Sequence, residues 1–182
     1  MLKWKFIFLS LTLFISCGDD SSHKLSTEFV SSDYPTTQMW NMTTTVSDSG
    51  KITSLIKSGY VAKFNRTESK ITHLDSGLYV EFYDGKTGRR TSVLTANRGI
   101  INDLTNDMEA FDRVKVVSSD NTVLESEYLK WTEKTQLVSS DKFVTITTPT
   151  EILQGTGFES DKQLKFYKIF NASGRAEVEK VK

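Results

Sequence analysis

A chain of 182 residues, 37% hydrophobic and 25% charged, with formal charge zero, is one domain with a margin for targeting. With 23 basic against 23 acidic residues there is no cationic excess to neutralise phosphates, so no nucleic-acid partner is expected. The single cysteine excludes a disulfide within the chain and any cysteine-built zinc site.

Lys3 and Lys5 precede an apolar run from Phe6 to Ile15, a positive region followed by a core of signal-peptide length. A spanning helix needs about 20 apolar residues, and Gly18-Asp19-Asp20 ends this run well short of that. Ser16-Cys17-Gly18 resembles a bacterial lipobox, with Phe14 standing where leucine is usual. That resemblance implies a lipoprotein signal peptide over 1–16, cleavage before Cys17 and diacylglyceryl attachment at its sulfur. An ordinary signal peptide or short anchor with an incidental cysteine is the plain alternative. Several acyl chains, at about 0.8 kcal/mol per buried CH₂, would hold the protein on a membrane face. Residues 17–37 are polar and read as a lipidated, flexible tether. Within it Asp19 and Asp20 carry either a sorting signal or plain linker charge.

Residues 38–182 read as strands throughout, with no sustained helical period. Met39 to Val46 meets the turn Ser47-Asp48-Ser49-Gly50, and Ile52 to Phe64 follows with a bend expected near Gly59. Gly77 to Tyr83 alternates, placing Leu78, Val80 and Phe82 on one face. Asp84-Gly85-Lys86-Thr87-Gly88 is a hairpin loop by composition. One strand from Arg90 to Ile101 and a turn over 102–107 come next. Met108 to Ser118 carries Val114 and Val116 on one face; after Asp120-Asn121, Val123 to Trp131 pairs Leu129 with Trp131. Gln136 to Thr148 sets Val144 with Ile146, and Pro149 turns the chain. Glu151 to Phe158 and Lys165 to Phe170 complete the core, with Arg175 to Val181 as a last edge strand. Gly155-Thr156-Gly157 between them reads as a glycine-rich bend or close backbone approach. No helix follows it to hold a phosphate, so dinucleotide binding is set aside.

An internal echo supports this order. Offset by about 30 residues, the scale on which repeats are read, Ile101 falls on Trp131, Val114 on Val144 and Val116 on Ile146. Repeated strand pairs build an open β-jelly roll or twisted antiparallel β-roll, although short, evenly spaced strands suit a sandwich too. The fold class expected is all-β.

Linked motifs then carry a family resemblance. Thr122-Val123-Leu124-Glu125-Ser126-Glu127-Tyr128-Leu129-Lys130-Trp131, the strand Val138 to Ile146, and Gly155-Thr156-Gly157-Phe158-Glu159-Ser160-Asp161 occur in that order. Ser49-Gly50-Lys51-Ile52 and Leu78 to Tyr83 lie upstream. Together they resemble the LptC family of periplasmic lipopolysaccharide-transport proteins over roughly Met39 to Gly174, with a lipobox where better-known members keep a transmembrane helix. The resemblance implies a periplasmic, lipid-anchored bridge component at the inner membrane. It would receive lipopolysaccharide from an ABC transporter, with which its N-terminal end docks, and pass it to an LptA-like protein at its C-terminal end. Lipid A acyl chains would contact Val80, Phe82, Val114, Val116, Trp131, Val144 and Ile146; a filled core is the competing reading of the same residues. Gly155, Gly157 and Phe158 would shape the bend toward the exit. Leu164, Tyr167 and Ile169 would belong to the partner-binding edge, with Lys165, Lys168, Arg175 and Lys180 discouraging unwanted pairing.

No cofactor or metal is expected, and no catalytic constellation is visible. His23 lies in the tether, leaving His73, read as a surface or turn residue, without a nucleophile elbow to serve. Rival functions are a lipoprotein β-sandwich that binds another lipid or a glycan, and an adhesive lipoprotein with a packed interior.

Overall fold

The computed structural model describes residues 34–66 and 68–176, with side chains through Ser173. The signal peptide, Cys17, His23, most of the tether, Lys180 and Val181 lie outside the described residues.

Among the described residues eleven strands form one antiparallel sheet in nearly sequential order. They are β1 (Thr37–Asp48), β2 (Lys51–Asn65), β3 (Lys70–Tyr83), β4 (Arg90–Ala96), β5 (Arg98–Asn102) and β6 (Met108–Ser118). Then follow β7 (Val123–Thr132), β8 (Leu137–Thr147), β9 (Glu151–Asp161), β10 (Tyr167–Ile169) and β11 (Ser173–Ala176). β4 and β5 lie end to end between β3 and β6. The single strand expected from Arg90 to Ile101 is thus broken at Asn97. The expected all-β roll is the observed fold.

A line of corners crosses the sheet and folds it. The ladder shifts between Ser58 and Tyr60 on β2, Phe111 and Val114 on β6, Ser126 and Lys130 on β7, and Ser140 and Phe143 on β8. Positive φ angles sit on the same line at Ser76 (61°), Gly77 (93°), Asp112 (62°), Arg113 (54°) and Gly157 (88°). Bulges of this kind bend a strand and sharpen its twist. Backbone bonding continues through the corner: Gly77 N–H donates to Asn97 O, and Asn97 N–H to Asp112 O, each at 3.0 Å.

Side chains from both sides of this line join one apolar cluster. Ile56, Val80, Val116 and Ile146 come from one half, and Val61, Leu74, Leu129 and Phe158 from the other. The sheet therefore closes on itself as a two-layered roll, and each fully buried aliphatic or Phe side chain contributes roughly 1.5–3 kcal/mol. The Tyr167 hydroxyl, on one layer, donates to Glu151 Oε1 on the other at 3.3 Å.

Candidate functional site

Period-two alternation puts every second side chain inside, and register turns those into rows. One row joins Ile56, Val80, Leu94, Val116, Leu124, Ile146 and Leu153, neighbour opposite neighbour, from β2 to β9. A second joins Val114, Ser126, Val144 and Gly155. Five of the residues expected to face lipid lie in these rows. Val114 (1% exposed), Val144 (0%) and Ile146 (0%) are fully enclosed, and Val80 and Val116 nearly so. Phe82, two residues beyond Val80, is half-buried at the end of the layer and packs on the same cluster.

Trp131 stands apart from them. It lies one residue before the end of β7 in the other half, opposite Met108 and Val138, and its indole N–H donates to Glu133 Oε2 at 2.9 Å. The shared inner face with Leu129 is real, but the corner between Ser126 and Lys130 sends Trp131 to the far end of the roll.

The glycine-rich stretch differs from its expected form. Gly155 and Gly157 lie inside continuous β9, and the turn that reverses the chain is formed by residues 162–166. A Cβ on Gly155 would sit 2.4 Å from Ile169 Cγ2 and 2.6 Å from Phe170 O, so the returning chain passes too close for any side chain. Gly157, with φ of 88°, stands opposite the extra residues Asp141 and Lys142 of the β8 bulge. Phe158 is fully buried beside it.

Of the expected partner edge, Tyr167 and Ile169 are in β10 and pack half-buried against the core. Leu164 is not on the edge. It sits in the turn before β10, 3% exposed, as a core residue. His73 is mid-strand in β3 rather than in a turn, its ring edge-on to Phe64 at 5.2 Å between centroids.

Several contributors escape a sequence reading. Ser58, Ser126 and Ser140 are buried at the corners and satisfy backbone groups that the bulges strand. Ser58 Oγ donates to Asp75 O at 2.9 Å, Ser126 Oγ to Phe143 O at 3.0 Å, and Lys142 N–H donates to Ser140 Oγ at 3.1 Å. A serine where an aliphatic residue would continue the inward alternation is the only signal. On the outer face Glu81 accepts hydrogen bonds from Tyr79, Tyr83 and Arg90. The Tyr83 hydroxyl first, then Tyr79 and Arg90, hold its carboxyl down at about 2, and the carboxylate in turn raises both phenols.

The two side edges of the sheet frame the inner rows. β1 is paired on one side only, with Trp40 66% exposed on its outer face and Met39 and Met42 half-buried on its inner face. Among the described residues no group of His, Cys, Asp or Glu is placed to hold a metal, and no helix is long and apolar enough to cross a membrane.

A corner-folded antiparallel sheet, apolar within and edged by a strand paired on one side only, defines the class of open β-rolls. The chain belongs to the LptC-related family of lipopolysaccharide assembly, whose family model matches residues 6–172. Comparison with curated proteins gives no match. The family is one of transport components, periplasmic and membrane-associated, that serve the lipopolysaccharide bridge.

Proposed function

We propose that this domain takes lipopolysaccharide from an inner-membrane ABC transporter, holds its acyl chains against the inner rows, and passes it to an LptA-like periplasmic protein. Acyl groups on Cys17 hold it at the periplasmic face of the inner membrane. The observation that carries this reading is the unbroken apolar row from Ile56 to Leu153, which gives a hydrocarbon chain a continuous track across the sheet. Apolar burial at about 25 cal/mol per Å² offsets the exposure of a chain to water. Because Val114, Val144 and Ile146 already touch other side chains, carriage requires the two layers to part. Beside β1 the inner positions Thr44 and Val46, opposite Ile56 and Ser54, are exposed, so the mouth lies there. The β1 edge and the short β10–β11 edge offer strand addition to the transporter side and the LptA-like side respectively.

The test is Phe82→p-benzoylphenylalanine, an aromatic-for-aromatic exchange, in the full-length membrane-bound chain. Illumination is expected to give a lipopolysaccharide adduct. No adduct, in membranes where a known lipopolysaccharide carrier is captured, would sink the reading. For the anchor, Cys17→Ser is expected to release the protein from membranes; retention would reject lipid attachment there.

A further inference from the structure

One rim of the roll sets hydroxyls on either side of a single aromatic ring. Two residues outward from the Ile56–Leu153 row, the inner positions are Ser54 on β2, Phe82 on β3, Ser92 on β4 and Ser118 on β6, aligned by register. Thr122 follows, just before β7, its carbonyl accepting from Ser118 N–H at 2.9 Å. All four hydroxyl residues are buried. The Ser118 hydroxyl is engaged by the Asp120 carboxylate. Ser92 differs: it is 2% exposed, and its Oγ has no hydrogen-bond partner, the one such buried side-chain atom among the described residues. Alternation fixes its direction, because Leu94 on the same strand packs into the core and Ser92 shares its face.

Buried hydroxyls are almost always satisfied, and an unmet one opposes folding. Immediately inward, the matching positions Val80, Leu94 and Val116 are aliphatic, so packing alone does not call for a hydroxyl here. We infer that Ser92 donates its hydroxyl proton to the carbonyl oxygen of an ester- or amide-linked acyl chain. The chain's polar root then sits at the Ser54–Ser92–Ser118 rim, and its hydrocarbon runs inward over Leu94 and Val116. Leu94 and Val116 belong to the Ile56–Leu153 row, so the chain enters that track across the sheet from the hydroxyl rim. The inference rests on the lipid-carrying reading and adds to it the orientation of the acyl chain.

The experiment uses the same full-length chain with the photoreactive group at Phe82, whose register partner is Ser92. Ser92→Ala is expected to lower the lipopolysaccharide adduct yield roughly three- to tenfold, the worth of one hydrogen bond. The melting temperature should stay the same or rise, because an unmet hydroxyl has gone. Ser140→Ala, away from the rim, serves as the contrast: it removes the acceptor of Lys142 N–H at the β8 corner, lowering the melting temperature while leaving the yield near that of the parent. An unchanged yield with Ser92→Ala would overturn the inference while leaving the carrier reading intact. So would a fall in its melting temperature, which would assign the hydroxyl to packing. No adduct from the parent would overturn both.

Discussion

The roll's two side edges are built in opposite ways. β1 is a single strand of 12 residues. Its inner-facing Met39 and Met42 are only half-buried, and Thr44 and Val46 further along are exposed. The opposite edge is two short strands of 3 and 4 residues, interrupted where Asn171 takes a φ of 46°. There the interior is filled by Phe158, Leu164, Tyr167 and Ile169, and the Tyr167–Glu151 hydrogen bond ties one layer to the other. Among the described residues only Met39 and Met42 cover the first side, whereas four larger or more deeply set side chains plug the second. A long, continuous edge leaves a full row of backbone groups unpaired; a short, interrupted one resists indiscriminate pairing.

The sharpest way to break this contrast is to empty the plugged side. Phe158→Ala removes a ring that is 1% exposed and is expected to cost about 3–5 kcal/mol in urea unfolding. Trp40→Ala, on the outer face of β1, should stay within about 0.5 kcal/mol. Equal costs would mean that β1 is as tightly integrated as β9. Gly155→Ala comes next. Its new Cβ would meet Phe170 O, a backbone atom that cannot rotate away, so the returning chain must shift. Overpacking of this kind costs about 1–3 kcal/mol. Amide exchange at Tyr167 and Ile169 should rise selectively while β6 and β7 remain protected; uniform loss of protection would show that β10 is not separable from the core.

This plugged side is also where the sequence was hardest to read. Alternation and turn residues suffice for most strands: Met108–Ser118 is observed with the bounds its pattern predicts. The 30-residue echo has a simple structural cause. Val114 and Val144 flank Ser126, Val116 and Ile146 flank Leu124, and Ile101 and Trp131 flank Met108, so each echoed pair occupies one row two strands apart. The corners are less legible, because positive φ at Asp112 and Arg113 falls on residues with no turn chemistry around them. Gly155 and Gly157 mark a close approach rather than a chain reversal, a distinction set by the position of Phe170 and invisible locally. Leu164 follows the same rule: polar neighbours suggest an exposed loop, and only the folded-over layer buries it. The inner face of the candidate site could be read from Val80, Val114 and Ile146. Its enclosure, and the bare hydroxyl of Ser92, depend on register across strands distant in sequence.

The smallest expected effect separates the two sides by pH. Toward the β1 side, Glu81 binds Tyr83, Tyr79 and Arg90 as a carboxylate and is held at about 2, below its ordinary value of 4.5. A depressed carboxylate contributes stability that is fully present above the unfolded value and is lost as pH falls through the folded one. The melting temperature should therefore decline between about pH 4.5 and 2, and Glu81→Gln should flatten that decline while lowering stability at neutral pH. On the plugged side, burial first and the Glu151 charge second push the Tyr167 phenol above its ordinary 10.0. Its contribution is present below that pH and fades as pH rises past it, so Tyr167→Phe should flatten the alkaline limb and leave the acid limb alone. Acid then loosens the β3–β4 hairpin, whereas the layer-bridging plug yields only to alkali. Glu81→Gln also frees the Tyr79 and Tyr83 phenols that its carboxylate raises, so the discriminating variant is Tyr167→Phe: if it altered the acid limb, the two sides would be one cooperative unit.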